Sequence, residues 1–175
     1  MSSQTQKIGN LIVSVWISLF MYILLHEFGH LIIALLCGST ITEFSILKAH
    51  VSFTGGIYNG YSSMFLHSAG VLFPVICLFV YLLVYRDFHN NWYKMFSYIV
   101  CVMPICSLLA WVFVPVLYVC NQAPIGDDVT KFLDIFDKSF HPLMVSVFAS
   151  IVIIVLVMLV VKKGIIRNFK EVMKE

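Results

Sequence analysis

Charge is what this sequence has least of. Only 11% of its 175 residues are Asp, Glu, Lys or Arg, and 61% are hydrophobic. A soluble domain carries about 25% charged and about 45–50% apolar residues. A chain this short cannot hide so much apolar side chain behind so few charges, which excludes a soluble enzyme. The same apolar excess excludes a disordered tail. A net charge of +2 makes no basic patch, so no nucleic-acid partner is expected. Cysteine is missing in any useful arrangement: the five (Cys37, Cys77, Cys101, Cys106, Cys120) are odd in number and form no C-x-x-C pair. They lie in or beside apolar runs and read as small hydrophobes. Repeats, low-complexity stretches and linkers are absent too, so 1–175 reads as one membrane-embedded domain. The apolar stretch after Lys7 runs on to Cys37 without a small-x-small cleavage site. It is therefore expected to stay in the mature protein.

What is there is long uncharged runs. Between Lys7 and Glu43 the only charge is Glu27, and none lies between Lys48 and Arg86, Lys94 and Asp127, or Lys138 and Lys162. Each gap holds the roughly 20 apolar residues that cross a bilayer core. The runs are too continuous for the alternation of a barrel, and backbone in lipid must satisfy itself, so helices are predicted. The reading is an all-α polytopic membrane protein with about four transmembrane helices, at about 8–37, 62–85, 93–119 and 142–161. Lys7, Arg86, Lys94, Lys162, Lys163, Arg167, Lys170 and Lys174 fall on one side and Lys48, Lys131 and Lys138 on the other, a split of 8 to 3. That asymmetry predicts a multi-pass protein of the cell membrane with both termini cytoplasmic and 162–175 as a basic cytoplasmic tail. Loops 38–61 and 120–141 then share the opposite face.

Segment 39–60 is β-branched and aromatic, alternates polar with apolar, and ends in Gly55-Gly56 and Asn59-Gly60 turn signals. A short β-hairpin between the first and second helices is predicted, lying at the membrane surface. The loop from Asn121 to His141 holds four of the nine acidic residues: Asp127, Asp128, Asp134 and Asp137. Pro104 and Pro115 each remove a hydrogen bond from the third span, which should kink or open there.

The first span contains Leu25-His26-Glu27-Phe28-Gly29-His30-Leu31. Residues i and i+4 of a helix lie one above the other, so His26 and His30 can present two imidazoles to one ion. Glu27 projects beside them. This is the division of labour in H-E-x-x-H zinc peptidases, two nitrogen ligands and a carboxylate base. With six His and four Glu in the chain, the pattern is expected by chance about 0.005 times. A carboxylate near the bilayer centre also costs roughly 2.5–3.5 kcal/mol on insertion scales, so Glu27 needs a reason to be there. A catalytic zinc needs a third protein ligand and an open position. Asp127, Asp128, Asp134, Asp137, His50, His67, His141 and Glu43 are the candidates.

At these residues the chain resembles a minimal member of the site-2 protease family of intramembrane zinc metalloproteases. That family carries H-E-x-x-H in a core membrane helix and a third ligand, an Asp, about a hundred residues later in an Asn-Pro-Asp-Gly or Leu-Asp-Gly-Gly setting. The first element is matched in full by His26-Glu27-Phe28-Gly29-His30. The second is matched in part: Asn121 and Pro124 precede Gly126-Asp127-Asp128, and no glycine follows. Counting back from Phe132-Leu133 favours Asp128 as the ligand, with Asp127 as the alternative. Leu66-His67-Ser68-Ala69-Gly70-Val71-Leu72-Phe73-Pro74 resembles the family's second core helix, where small residues let helices approach. His67 becomes a possible site-lining residue.

The resemblance implies an intramembrane zinc metalloendopeptidase acting on membrane-associated protein or peptide substrates. His26, His30 and Asp128 would hold Zn²⁺, and Glu27 would activate water. The hairpin offers a sheet edge to which an unwound substrate could add. The alternative is a non-proteolytic membrane protein that binds or transports metal.

Overall fold

The computed structural model describes residues 3–46, 48–137 and 139–174. Lys138, counted among the loop cations above, lies outside them, as do Met1, Ser2, Leu47 and Glu175. Four of the helices are long and apolar enough to cross a membrane: α1 (Ser3–Leu36), α2 (Gly60–Val84), α3 (Asn91–Val119) and α5 (Leu143–Lys162). Their ends fall within two residues of the predicted spans, except that α1 starts five residues early. Hydropathy marks the lipid boundary, whereas a helix continues for as long as its backbone ladder is satisfied. Along α5, Met144, Val147, Phe148, Ile151, Ile154, Val155 and Met158 are exposed, while Val145, Ser146, Ala149, Leu156 and Val160 face inward. An exposed apolar wall of this extent suits lipid and not water. The chain is a polytopic helical membrane protein.

α3 runs unbroken through Pro104 and Pro115, so the expected opening there is not a break in the element. Each proline frees the carbonyl four residues before it, and neighbouring helices of a bundle support such positions. α3 also forms the centre of the bundle, packing against α1, α2 and α5. Ser146 Oγ ties α5 to it by donating to the Val112 carbonyl at 2.8 Å.

The hairpin stands between α1 and α2 as β1 (Ser39–Ser45) and β2 (His50–Gly55), antiparallel, with a bulge between Ile41 and Glu43. The chain reverses around positions 46–49, where Ala49 has φ 46, and Gly55-Gly56 ends β2 and does not form the turn. Beyond α3, Gly126 (φ +82) turns the chain back toward the bundle, and α4 (Asp128–Phe136) follows, burying Val129 and Leu133. α4 packs on α2 and α3. The segment after α5, expected as a basic tail, forms a further helix, α6 (Ile165–Lys174), which packs on α3 at the other end of the bundle.

α1 and α2 approach each other closely. A Cβ on Gly29 would strike the Ala69 carbonyl and come within 3.1 Å of Phe73 Cβ. The glycine inside the H-E-x-x-H segment is thus the residue that lets α2 lie against the two histidines.

Candidate metal centre

α1 places His26 and His30 one turn apart on the face that meets α2, with their Nε2 atoms 3.2 Å apart. The N-terminus of α4 brings Asp128 to them: its Oδ2 lies 3.1 Å from His30 Nε2 and 3.5 Å from His26 Nε2. Four donors around a zinc at about 2.0–2.1 Å stand roughly 3.3 Å from one another in a tetrahedron. The triangle of 3.1, 3.2 and 3.5 Å therefore has the size of one tetrahedral face. This three-residue group is positioned to bind a metal. The donor chemistry agrees, two imidazoles and a carboxylate being a borderline-soft set.

Each imidazole must offer Nε2. His30 does so because its Nδ1 is bound to the Leu66 carbonyl at 2.8 Å, a contact that fixes ring and tautomer. His26 Nδ1 is buried and makes no hydrogen bond among the described residues. Burial pushes the Asp128 carboxyl up, but the facing imidazoles of His26, His30 and His67 outweigh it and hold the group below the usual carboxylate range. Asp128 is thus an ionised donor with no proton to lose. His67, on α2, points Nδ1 at the other oxygen, Asp128 Oδ1, at 3.7 Å. Glu27, between the two histidines on α1, is 6% exposed.

The remaining candidates are engaged elsewhere. Asp127 caps α4, its Oδ1 accepting from the Thr130 amide at 2.7 Å. Asp134 accepts from the Tyr118 hydroxyl at 3.0 Å, and Asp137 closes α4 as its C-cap. Glu43 pairs with Lys48 at 2.9 Å on the hairpin, where His50 bonds Ser52. His141 accepts from the Leu143 amide.

A model of the Peptidase M50B-like family matches residues 10–121, well over half of the chain. The chain belongs to the M50B-like peptidases, within the site-2 protease family. No curated protein and no solved structure matches it. At family level, then, this is a site-2-protease-like membrane metallopeptidase. The matched region holds His26, Glu27 and His30 and ends before Asp128.

Two further residues contribute to the site of this M50B-like peptidase: Gly70, expected from the sequence only as a small residue that lets helices approach, and Tyr22, which the sequence did not single out. Gly70 lies across from both imidazoles, and any Cβ there would collide with His30 Nε2 and with His26. It stands three residues after His67, the helical spacing that puts both on one face. Tyr22, four residues before His26, sits against it with ring centroids 5.9 Å apart and faces Ser107 on α3. Beyond Tyr22, an apolar cavity of about 110 Å³ extends between α1, α2 and α3, lined by Pro74, Cys77 and Pro104 among others. It adjoins the third span at Pro104, where an opening was expected, but its apolar walls do not suit water.

Proposed function

We propose that this M50B-like peptidase is an intramembrane zinc metalloendopeptidase, with His26, His30 and Asp128 holding Zn²⁺ and Glu27 as general base. The observation that carries the reading is the donor triangle of 3.1–3.5 Å on the same helix turn as the buried Glu27. A bound zinc supplies Lewis-acid polarisation of the scissile carbonyl and lowers the pKa of water from 15.7 to about 7. The chain's own residues do the rest. The Glu27 carboxylate takes a proton from the attacking water as its oxygen adds to the carbonyl carbon. The same proton then passes to the departing amide nitrogen as the C–N bond breaks. His67 steers Asp128 by engaging Oδ1, which leaves Oδ2 toward the histidines. A helical substrate segment engages its carbonyls in its own ladder, so the substrate must present an extended backbone segment. β1 and β2 each keep one edge free of a described strand, and such a segment adds there as a further strand. The substrate is accordingly a membrane-associated protein or peptide. Both termini lie on the cytoplasmic side, since that end of the bundle carries most of the Lys and Arg.

The test is zinc content and peptide cleavage measured together. Glu27→Gln keeps zinc and lowers cleavage by about 10²–10⁴-fold, and His26→Ala loses both. His67→Ala weakens zinc binding by about 10–100-fold. Stoichiometric zinc with cleavage indifferent to Glu27→Gln would leave a metal-binding or transport protein in its place.

A further inference from the structure

The last helix plays no part in the metal centre, yet its charges are ordered. α5 ends at Lys162, Gly164 (φ +73) reverses the chain, and α6 follows. Ile165, Asn168 and Val172 are buried at helical spacing. Asn168 Nδ2 donates to the Tyr85 hydroxyl at 3.2 Å, and Phe169 stacks on Tyr98 with centroids 4.2 Å apart. These contacts pin α6 against the first turns of α3 and the end of α2, where the spans terminate. Arg167, Lys170, Glu171 and Lys174 recur at the same spacing on the exposed side and, with Val161 and Ile166, line an open groove.

The groove is cationic on balance. Among the described residues its single acid is Glu171, which lies 3.9 Å from Lys94 and 3.9 Å from Arg167. Lys94 is 15% exposed and answers Glu171 from beneath, so Arg167, Lys170 and Lys174 keep a positive field outside. Below them Val161 continues the lipid-facing wall of α5 through Met158 and Ile154. A cluster of Lys and Arg held just beyond the end of a span attracts anionic lipid headgroups. What meets it there has an anionic head at the level of Lys170 and an apolar tail at the level of Val161.

We propose that the groove between the end of α5 and α6 binds the phosphate headgroup of an anionic membrane lipid, with an acyl chain along Val161. The whole protein is assayed in phosphatidylcholine nanodiscs titrated with phosphatidylglycerol, with bound lipid read by native mass spectrometry. A basic residue at the surface contributes roughly fivefold to such binding. Lys170→Gln with Lys174→Gln should weaken phosphatidylglycerol binding about 30-fold on that scale. Glu171→Gln, which removes the opposing charge, should tighten it about fivefold. Lys7→Gln with Arg86→Gln, an equal charge change on the same face, should leave it unchanged. Equal losses from the two double variants mean diffuse surface attraction and overturn the site. So does a Glu171→Gln protein that binds as the wild type does. Displacement of the lipid by millimolar inorganic phosphate would assign the groove to free phosphate instead.

Discussion

Asp127 and Asp128 carry the same side chain one residue apart and have opposite roles. Successive residues of a helix point about 100° apart, so only one of them can face α1. Asp127 sits at the N-cap and is committed to the Thr130 amide, while Asp128, the first residue of α4, reaches both histidines. Substitution should separate the two functions. Asp127→Ala should cost about 1 kcal/mol of helix stability and keep zinc, as read by thermal unfolding and metal analysis. Asp128→Ala should keep the helix and lose the metal. If zinc departs with Asp127 instead, the assignment is reversed. Gly70 is the other decisive residue at this scale. Ala is the better helix former, but its Cβ would occupy the space of the His26 and His30 nitrogens. Gly70→Ala should therefore leave helicity intact while zinc content falls; full zinc occupancy in that variant would show that the imidazoles can move aside.

Among the elements, the α1–α2 crossing sets the depth and closeness of the site. Gly29 meets the Ala69 backbone directly, and the Leu66 carbonyl, nearly one turn from it along α2, holds His30. One close contact thus fixes both the interhelical distance and an imidazole. Gly29→Val should push the helices apart, break the His30–Leu66 bond and weaken zinc binding, with circular dichroism little changed. Unaltered zinc affinity would mean that the crossing only packs the bundle. α4 works with this crossing as a short amphipathic helix, its Val129 and Leu133 buried so that its first residue is presented inward. The motif 26–30 and the small residues 69–70 were legible in the sequence because helical spacing alone puts them on facing stripes. The return of the chain at Gly126 was legible only as a permission to turn. Where it led depended on Val129 and Leu133 finding room between α2 and α3.

At the scale of the whole molecule, the hairpin and α4 lie at one end of the bundle and α6 with the 85–90 connection at the other. The Lys and Arg excess belongs to the second end. Cysteine-accessibility labelling in intact cells should find positions 7 and 167 shielded from an impermeant reagent and position 50 labelled. The reverse pattern would invert the orientation and leave the internal geometry untouched. The scarcity of charge determined by itself that the chain lives in a membrane, where its four spans lie, and that Glu27 is exceptional. Those are properties of local composition and of a fixed helical period, and each is complete within about 30 residues of sequence. Tertiary structure alone decided which aspartate meets the histidines, that a glycine on another helix must leave them space, and that the basic C-terminal segment folds into a helix with a groove. Each of these depends on contacts between residues distant in sequence, and no spacing along one segment records the rotation and approach of another.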